Sequence, residues 1–515
     1  MINSIFIAFI FKIFSTLNRW YEHSSSHKVM KGFSEILKKS LFFKMLRKER
    51  DYWQSGALKF LSFGFLSPIF VFFENVLKTS IFFKIGAVIC NYIKDVILNS
   101  SISRVLLWFL NVHVSHVKML FLSLSVFLVF MAIVPSHLWS NLFILGGALF
   151  LGFIFIFQIF TKKLKFEREF IPPSIVLFAL FALISLATGF GGGDSFRVGS
   201  IMFASIFISI ITTYVLNSVH RFRLFIGFIL VALVLTSLYG IFQFVTGIEI
   251  RLDFIDLEAN PDMAGRLFAT MGNPNNYAKF ITMFLPFVVA LFFVIKGTFK
   301  KIILLCAIGL IVTALLLTLS RASYLSIAGS VAVFILFMKP RLVPISLAIG
   351  LLSVPFWPDF VMARLSTLGT DSSSIFRMWI WEGSLRMLEH YSITGVGMGP
   401  LAFRTIYLEF SHQLAGSAMH SHNVFLNVWL ELGIGGFLAI VFYNFIAIKK
   451  SIITFFETDN FEIKLYLAAA LSSIAAFLAF AMVEHVWFYP RTMLVYFITM
   501  GMTFALIRIV KTAKN

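Results

Sequence analysis

The chain has 515 residues, 59% of them apolar and 13% charged, with a mean hydropathy of +0.91, which excludes a soluble domain and indicates a polytopic membrane protein. A formal net charge of +19 would suggest nucleic acid in a soluble chain. Here the basic residues lie between long apolar runs, where they set topology and meet anionic headgroups, so no nucleic-acid partner is expected.

Residues 1–118 hold 16 basic against 6 acidic residues, in short apolar stretches broken by Lys. The stretch Ile36-Leu37-Lys38-Lys39-Ser40-Leu41-Phe42-Phe43-Lys44 recurs as Val76-Leu77-Lys78-Thr79-Ser80-Ile81-Phe82-Phe83-Lys84. Such segments predict interfacial amphipathic helices on the cytoplasmic side, with Lys toward anionic lipids. Phe60–Phe73 is apolar but short and contains Pro68, so it is not counted as a span. No cleavable signal peptide is expected, because Lys12 interrupts the first apolar stretch and no small-residue cleavage site follows. The two cysteines, Cys90 and Cys306, exclude a disulfide framework.

Residues 119–515 read as an all-α, polytopic membrane domain with about twelve transmembrane helices. The predicted spans are 119–135, 138–160, 171–188, 198–217, 224–246, 276–295, 302–320, 322–338, 342–357, 424–448, 465–483 and 492–509. Of the 43 Lys and Arg, 33 fall on the side that holds both termini, so that side is expected to be cytoplasmic. The other ten are nine Arg and a single Lys, Lys279. Arg supplies a planar, permanently charged fork suited to phosphate. For any one of them, an interfacial pair with a carboxylate such as Asp371 or Glu382 is the plainer explanation.

Four polar features fall on the expected outer side. Gly272-Asn273-Pro274-Asn275-Asn276-Tyr277 closes an outer loop and starts a span; its plain reading is a helix cap with free backbone N–H groups behind it. Leu319-Ser320-Arg321-Ala322-Ser323 wedges an Arg between adjoining spans, where it needs an anion or water. Residues 358–423 form a large extracytoplasmic loop. Within it, Ser372 to about Glu389 predicts an amphipathic helix carrying Arg377, Trp379 and Trp381.

The following Gly395-Val396-Gly397-Met398-Gly399-Pro400 could offer amides to a phosphate, although a simple turn explains it as well. The loop ends at His420-Ser421-His422-Asn423, and an imidazole there is suited to take a proton from an alcohol. An isolated His near a membrane surface is more often structural. Metal ligation is set aside because His420 and His422 have no Cys or carboxylate cluster nearby in the chain. Glu431 lies on the order of 13 Å into its span by helix rise, with Lys279 as a candidate partner.

Together these residues resemble the O-antigen ligase and polymerase superfamily of bacterial envelope proteins. Its ligases carry His-Asn/Ser/Gln, nine residues, then Gly-x-x-Gly. His422-Asn423 followed by Gly433-Ile434-Gly435-Gly436 is similar to that pattern. Gly272-Asn273-Pro274-Asn275, Ser320-Arg321, Arg377 with Trp381, Gly395-Val396-Gly397 and Glu431-Leu432-Gly433 look like its other recurring positions, in order, over about 195–445. The basic N-terminal extension departs from the usual pattern.

The resemblance implies a glycosyltransferase of the bacterial inner membrane, acting in envelope polysaccharide biosynthesis as ligase or polymerase. The donor would be a glycan on undecaprenyl diphosphate, and the acceptor hydroxyl would belong to a glycan, lipid or protein. No metal or other cofactor is implied. His422 would be the general base, and Arg321 and Arg377 would hold the donor diphosphate. Arg266, Arg404, His420, Asn423 and Asn273 are second-rank candidates. A transporter of the same superfamily, of the inorganic-carbon type, is the alternative. No internal inverted repeat or pair of broken midplane helices favours it.

Overall fold

A computed structural model describes residues 116–161, 163–247, 265–357 and 372–514, together with 362 and 366. The expectations for residues 1–115 and for Arg251, Arg364 and Asp371 lie outside these residues. Ser115–Asn515 form one compact unit.

Every one of the twelve predicted spans is a helix. They are α1 His116–Ile133, α2 Leu142–Phe160, α3 Pro173–Thr188, α4 Gly192–Val215, α5 Val219–Thr246, α6 Pro274–Val294, α7 Thr298–Leu317, α8 Arg321–Met338 and α9 Val343–Ser353, then α12 Val424–Glu457, α13 Phe461–Ala481 and α14 Pro490–Lys514. Among the described residues, two further helices with given bounds lie between α9 and α12: α10 Ser372–Tyr391 and α11 Pro400–Phe410. Among the described residues, nine helices are long and apolar enough to cross a membrane, and the chain is a multi-pass helical membrane protein. α9 is the weak match. Its 11 residues give about 16 Å of α-helix, short of a bilayer core, with 3₁₀ turns on either side.

Local chemistry sets the helix starts. Asn273 caps α6 through its side-chain oxygen, which accepts from Asn275 N (2.9 Å), and Pro274 follows at the first helical position. Asn423 caps α12 by accepting from Leu426 N (3.0 Å), and Asn460 caps α13 by accepting from Glu462 N (3.0 Å). α14 is the axis of the bundle. It is buried along its length, and small residues bring it against α4, where Thr213 Oγ1 donates to Gly501 O (3.2 Å). α7 and α8 turn most of their surface outward, with Leu305, Leu325 and Val331 exposed, as lipid-facing helices do.

One end of the bundle is tied by ion pairs: Arg223 with Glu462 (2.5 Å), Lys514 with Glu457 (2.8 Å) and Arg508 with Glu167 (3.4 Å). The other end gathers the start of α6, the α10–α11 loop, the start of α12 and the α13–α14 connection.

That loop is sewn into α12. Gly433 breaks the helix at φ 68°, ψ −177°, and the polar groups of the break are taken up by the loop. Val396 N donates to Leu430 O (2.7 Å), Gly397 N to Glu431 O (3.2 Å) and Ile434 N to Ser392 O (2.8 Å). A side chain at Gly433 would put its Cβ 2.0 Å from Ile393 O, so glycine is needed for space as well as for backbone conformation.

Candidate active site

Chain turns at this end converge on one carboxylate. Asn423 Nδ2 donates to Met482 O (3.0 Å), which draws the start of α12 against the α13–α14 connection. Glu484, two residues further on, then meets His422: Nδ1 and Oε1 are 3.1 Å apart. The other carboxylate oxygen, Oε2, lies 3.6 Å from Arg377 Nη2 on α10 and accepts from Asn275 Nδ2 on α6 (3.3 Å). Asn275 Oδ1 in turn accepts from Arg266 Nη2 (3.0 Å), whose Nε donates to Thr318 O (3.0 Å), three residues before Arg321.

His422 sits in the left-handed region, at φ 49°. That conformation costs a non-glycine residue roughly 1–2 kcal/mol. Neighbouring bonds hold it there: His422 N donates to His420 Nδ1 (3.1 Å), Ser421 N to Asn427 Oδ1 (2.9 Å) and Ser421 Oγ to Asn423 O (2.9 Å). Backbone strain retained next to a charged cluster is a mark of a functional position.

Charge decides what the dyad can do. Burial drives the Glu484 carboxyl up, but Lys279, His422 and Arg377 outweigh it and hold it well below the usual carboxylate range. Ionised, Glu484 can only accept, so His422 Nδ1 carries the proton that faces it. Burial, then His422 and His485, push His420 well below the usual imidazole range, and burial and Lys279 push His485 down to about 3. The site therefore holds a carboxylate, one partly exposed imidazole oriented by it, and a guanidinium beside it. This is the equipment of a base next to an anion.

Several expectations are corrected. Glu431 does not pair with Lys279. Its Oε1 accepts from Gly399 N (3.0 Å), while Lys279, 1% exposed, donates to Asn276 Oδ1 (3.3 Å) and lies toward Glu484. The loop amides of Gly395–Gly399 are not offered to a phosphate: Tyr391 O, Leu430 O, Glu431 O and the Glu431 carboxylate take those of Gly395, Val396, Gly397 and Gly399. Among the arginines expected on the outer side, Arg491 is a staple. It donates to Met131 O, Val134 O and Thr270 O, and stacks over Trp139 at 4.6 Å. Arg197 pairs with Asp194 (2.6 Å) and Arg386 with Glu382 (3.6 Å). Arg404 lies on the exposed face of α11. Asn273 and Asn423 act as the helix caps described above. Arg321 opens α8 behind Ser320.

Glu484 was missed because 61 residues and two helices separate it from His422. The available signal was a lone acid in the next loop on the same side. Its presence also removes the reason for setting metal aside, since His420, His422 and Glu484 bring ligand atoms within 4.8 Å of one another. The donor set still fits a cation poorly. His420 Nδ1 is occupied by the His422 N–H, and Glu484 already serves Lys279 and Arg377.

A histidine–carboxylate pair with a guanidinium beside it thus lies at one end of a multi-pass helical membrane protein. Residues 304–441 match a family model described as O-antigen ligase, in keeping with the resemblance to the O-antigen ligase and polymerase superfamily. Glycan transfer of ligase or polymerase type, from a lipid-linked donor to a glycan acceptor, goes with that domain. The matched interval contains Arg321, Arg377, His420 and His422, and leaves out Arg266, Asn275 and Glu484. No curated protein matches the chain.

Proposed function

We propose that the protein transfers an oligo- or polysaccharide from undecaprenyl diphosphate to an acceptor hydroxyl, on the outer face of the bacterial inner membrane. His422 Nε2 takes the acceptor proton as the oxygen attacks the anomeric carbon. Glu484 holds the imidazole in that tautomer and stabilises it once charged. Arg321 and Arg377 hold the donor diphosphate and stabilise it as it leaves, with no metal required. Arg266 is a reserve cation behind them. Both termini lie in the cytoplasm. The polytopic membrane domain is 119–515, with its O-antigen-ligase-like core over about 195–445 and its large extracytoplasmic loop over 358–423.

The observation that carries this reading is the Glu484 carboxylate, bonded to His422 on one oxygen and facing Arg377 on the other. Fixed positive charge and an imidazole are thereby held on the two oxygens of one carboxylate.

The test gives purified protein an undecaprenyl-diphosphate oligosaccharide in chelating buffer, with and without a candidate acceptor. A product ladder indicates polymerase and a single transferred glycan indicates ligase. His422→Ala should lose product while keeping its fold. Undiminished turnover in that variant removes the base assignment.

A further inference from the structure

Asn275 stands at the second helical position of α6, half-buried, with its two amide atoms committed to opposite charges. Chemistry fixes the orientation of the group. A guanidinium only donates, so the amide oxygen must face Arg266; a carboxylate only accepts, so the NH₂ must face Glu484. Arg266 is itself anchored to the carbonyl of Thr318, so the amide is clamped from behind. On the far side of Glu484 lies Arg377, a competing partner at 3.6 Å. Unclamped, the carboxylate would be free to turn toward that guanidinium and away from His422.

We propose that Asn275 is a positioning residue of the transfer reaction: its carboxamide, locked by Arg266, holds Glu484 on His422 against the pull of Arg377. The proposal rests on the His422–Glu484 reading given above. It assigns work to a residue outside the stretch that matches the family. Its distinguishing consequence lies in the aspartate variant. At the start of a helix, Asp serves as well as Asn and is favoured by the helix dipole, so a merely structural Asn275 would tolerate Asn275→Asp. A positioning Asn275 would not, because the new carboxylate faces Glu484 and repels it.

The experiment uses full-length protein labelled with ¹⁵N-histidine. An imidazole N–H bonded to a carboxylate gives a far-downfield proton signal, and its loss in Glu484→Gln assigns it. In Asn275→Ala and Asn275→Asp this signal should vanish, while the thermal midpoint of the Asp variant stays at or above the wild-type value. Turnover of an undecaprenyl-diphosphate oligosaccharide should fall about tenfold to a hundredfold in kcat, the scale of a small misplacement, with donor KM within about twofold. A signal retained in both Asn275 variants, with wild-type kcat, overturns the positioning role and leaves His422 and Glu484 untouched. If the wild-type protein lacks the signal, or His422→Ala keeps full turnover, the proposal falls together with the reading beneath it.

Discussion

At the scale of single residues, the site is organised by an anion among cations. Glu484 has His422, Arg377, Asn275 and Lys279 as neighbours, and its charge is what each of them responds to. Glu484→Gln keeps the shape and removes that charge, so the imidazole loses its tautomer lock. Turnover is expected to fall on the order of 10²–10⁴-fold, the usual contribution of a positioned base, and the thermal midpoint to fall as well, because buried Lys279 loses its counter-charge. Steady-state kinetics on that variant decide the matter, and a loss smaller than about threefold would show the pair to be merely structural. His422 was legible in the chain because a His-Asn pair opened an apolar run. Glu484 was not, because a lone acid between two spans has no periodicity and no neighbouring motif. The Lys279–Glu431 pairing failed for a related reason. Helix rise gives depth along an axis, but it does not say which neighbour a side chain faces, nor that a loop amide would reach Glu431 first.

At the scale of elements, the informative feature is the stitched break in α12. Gly433 gives up one turn of helix, and residues 392–397 supply the missing partners. Gly433→Ala adds a Cβ 2.0 Å from Ile393 O at a backbone angle that disfavours any side chain, so the loop should detach from the helix. Limited proteolysis reads this directly: new cleavage is expected between about residues 392 and 423, and an unchanged pattern would mean that the stitching is dispensable. The twelve helices were legible because run length and apolar content decide membrane helices almost alone. The break was hidden because Gly433-Ile434-Gly435-Gly436 sits inside a single predicted span, 424–448. The loop's Gly-rich stretch resembled an anion cradle because spacing does not reveal which carbonyls lie opposite.

At the scale of the whole molecule, acid should loosen the charged end first. His420 and His485 are held neutral by burial, and Glu484 is held ionised. All three have folded-state values below their unfolded ones, so the stability they support is present above the unfolded values and lost on acidification. For His485 the window runs from 6.5 down to about 3, and Glu484 extends the loss below 4.5. Each such histidine contributes a slope of up to about 1.4 kcal/mol per pH unit. Thermal midpoints in detergent should drop between pH 7 and pH 4.5, less steeply in His485→Phe; parallel curves for the two proteins would contradict this. The interrupted twelfth helix has a further consequence. The stretch from Val424 to Leu432 makes about 13 Å of rod before the break at Gly433, so the end of α12 that carries His422 takes its direction from the loop stitched to that break and not from the longer segment beyond it.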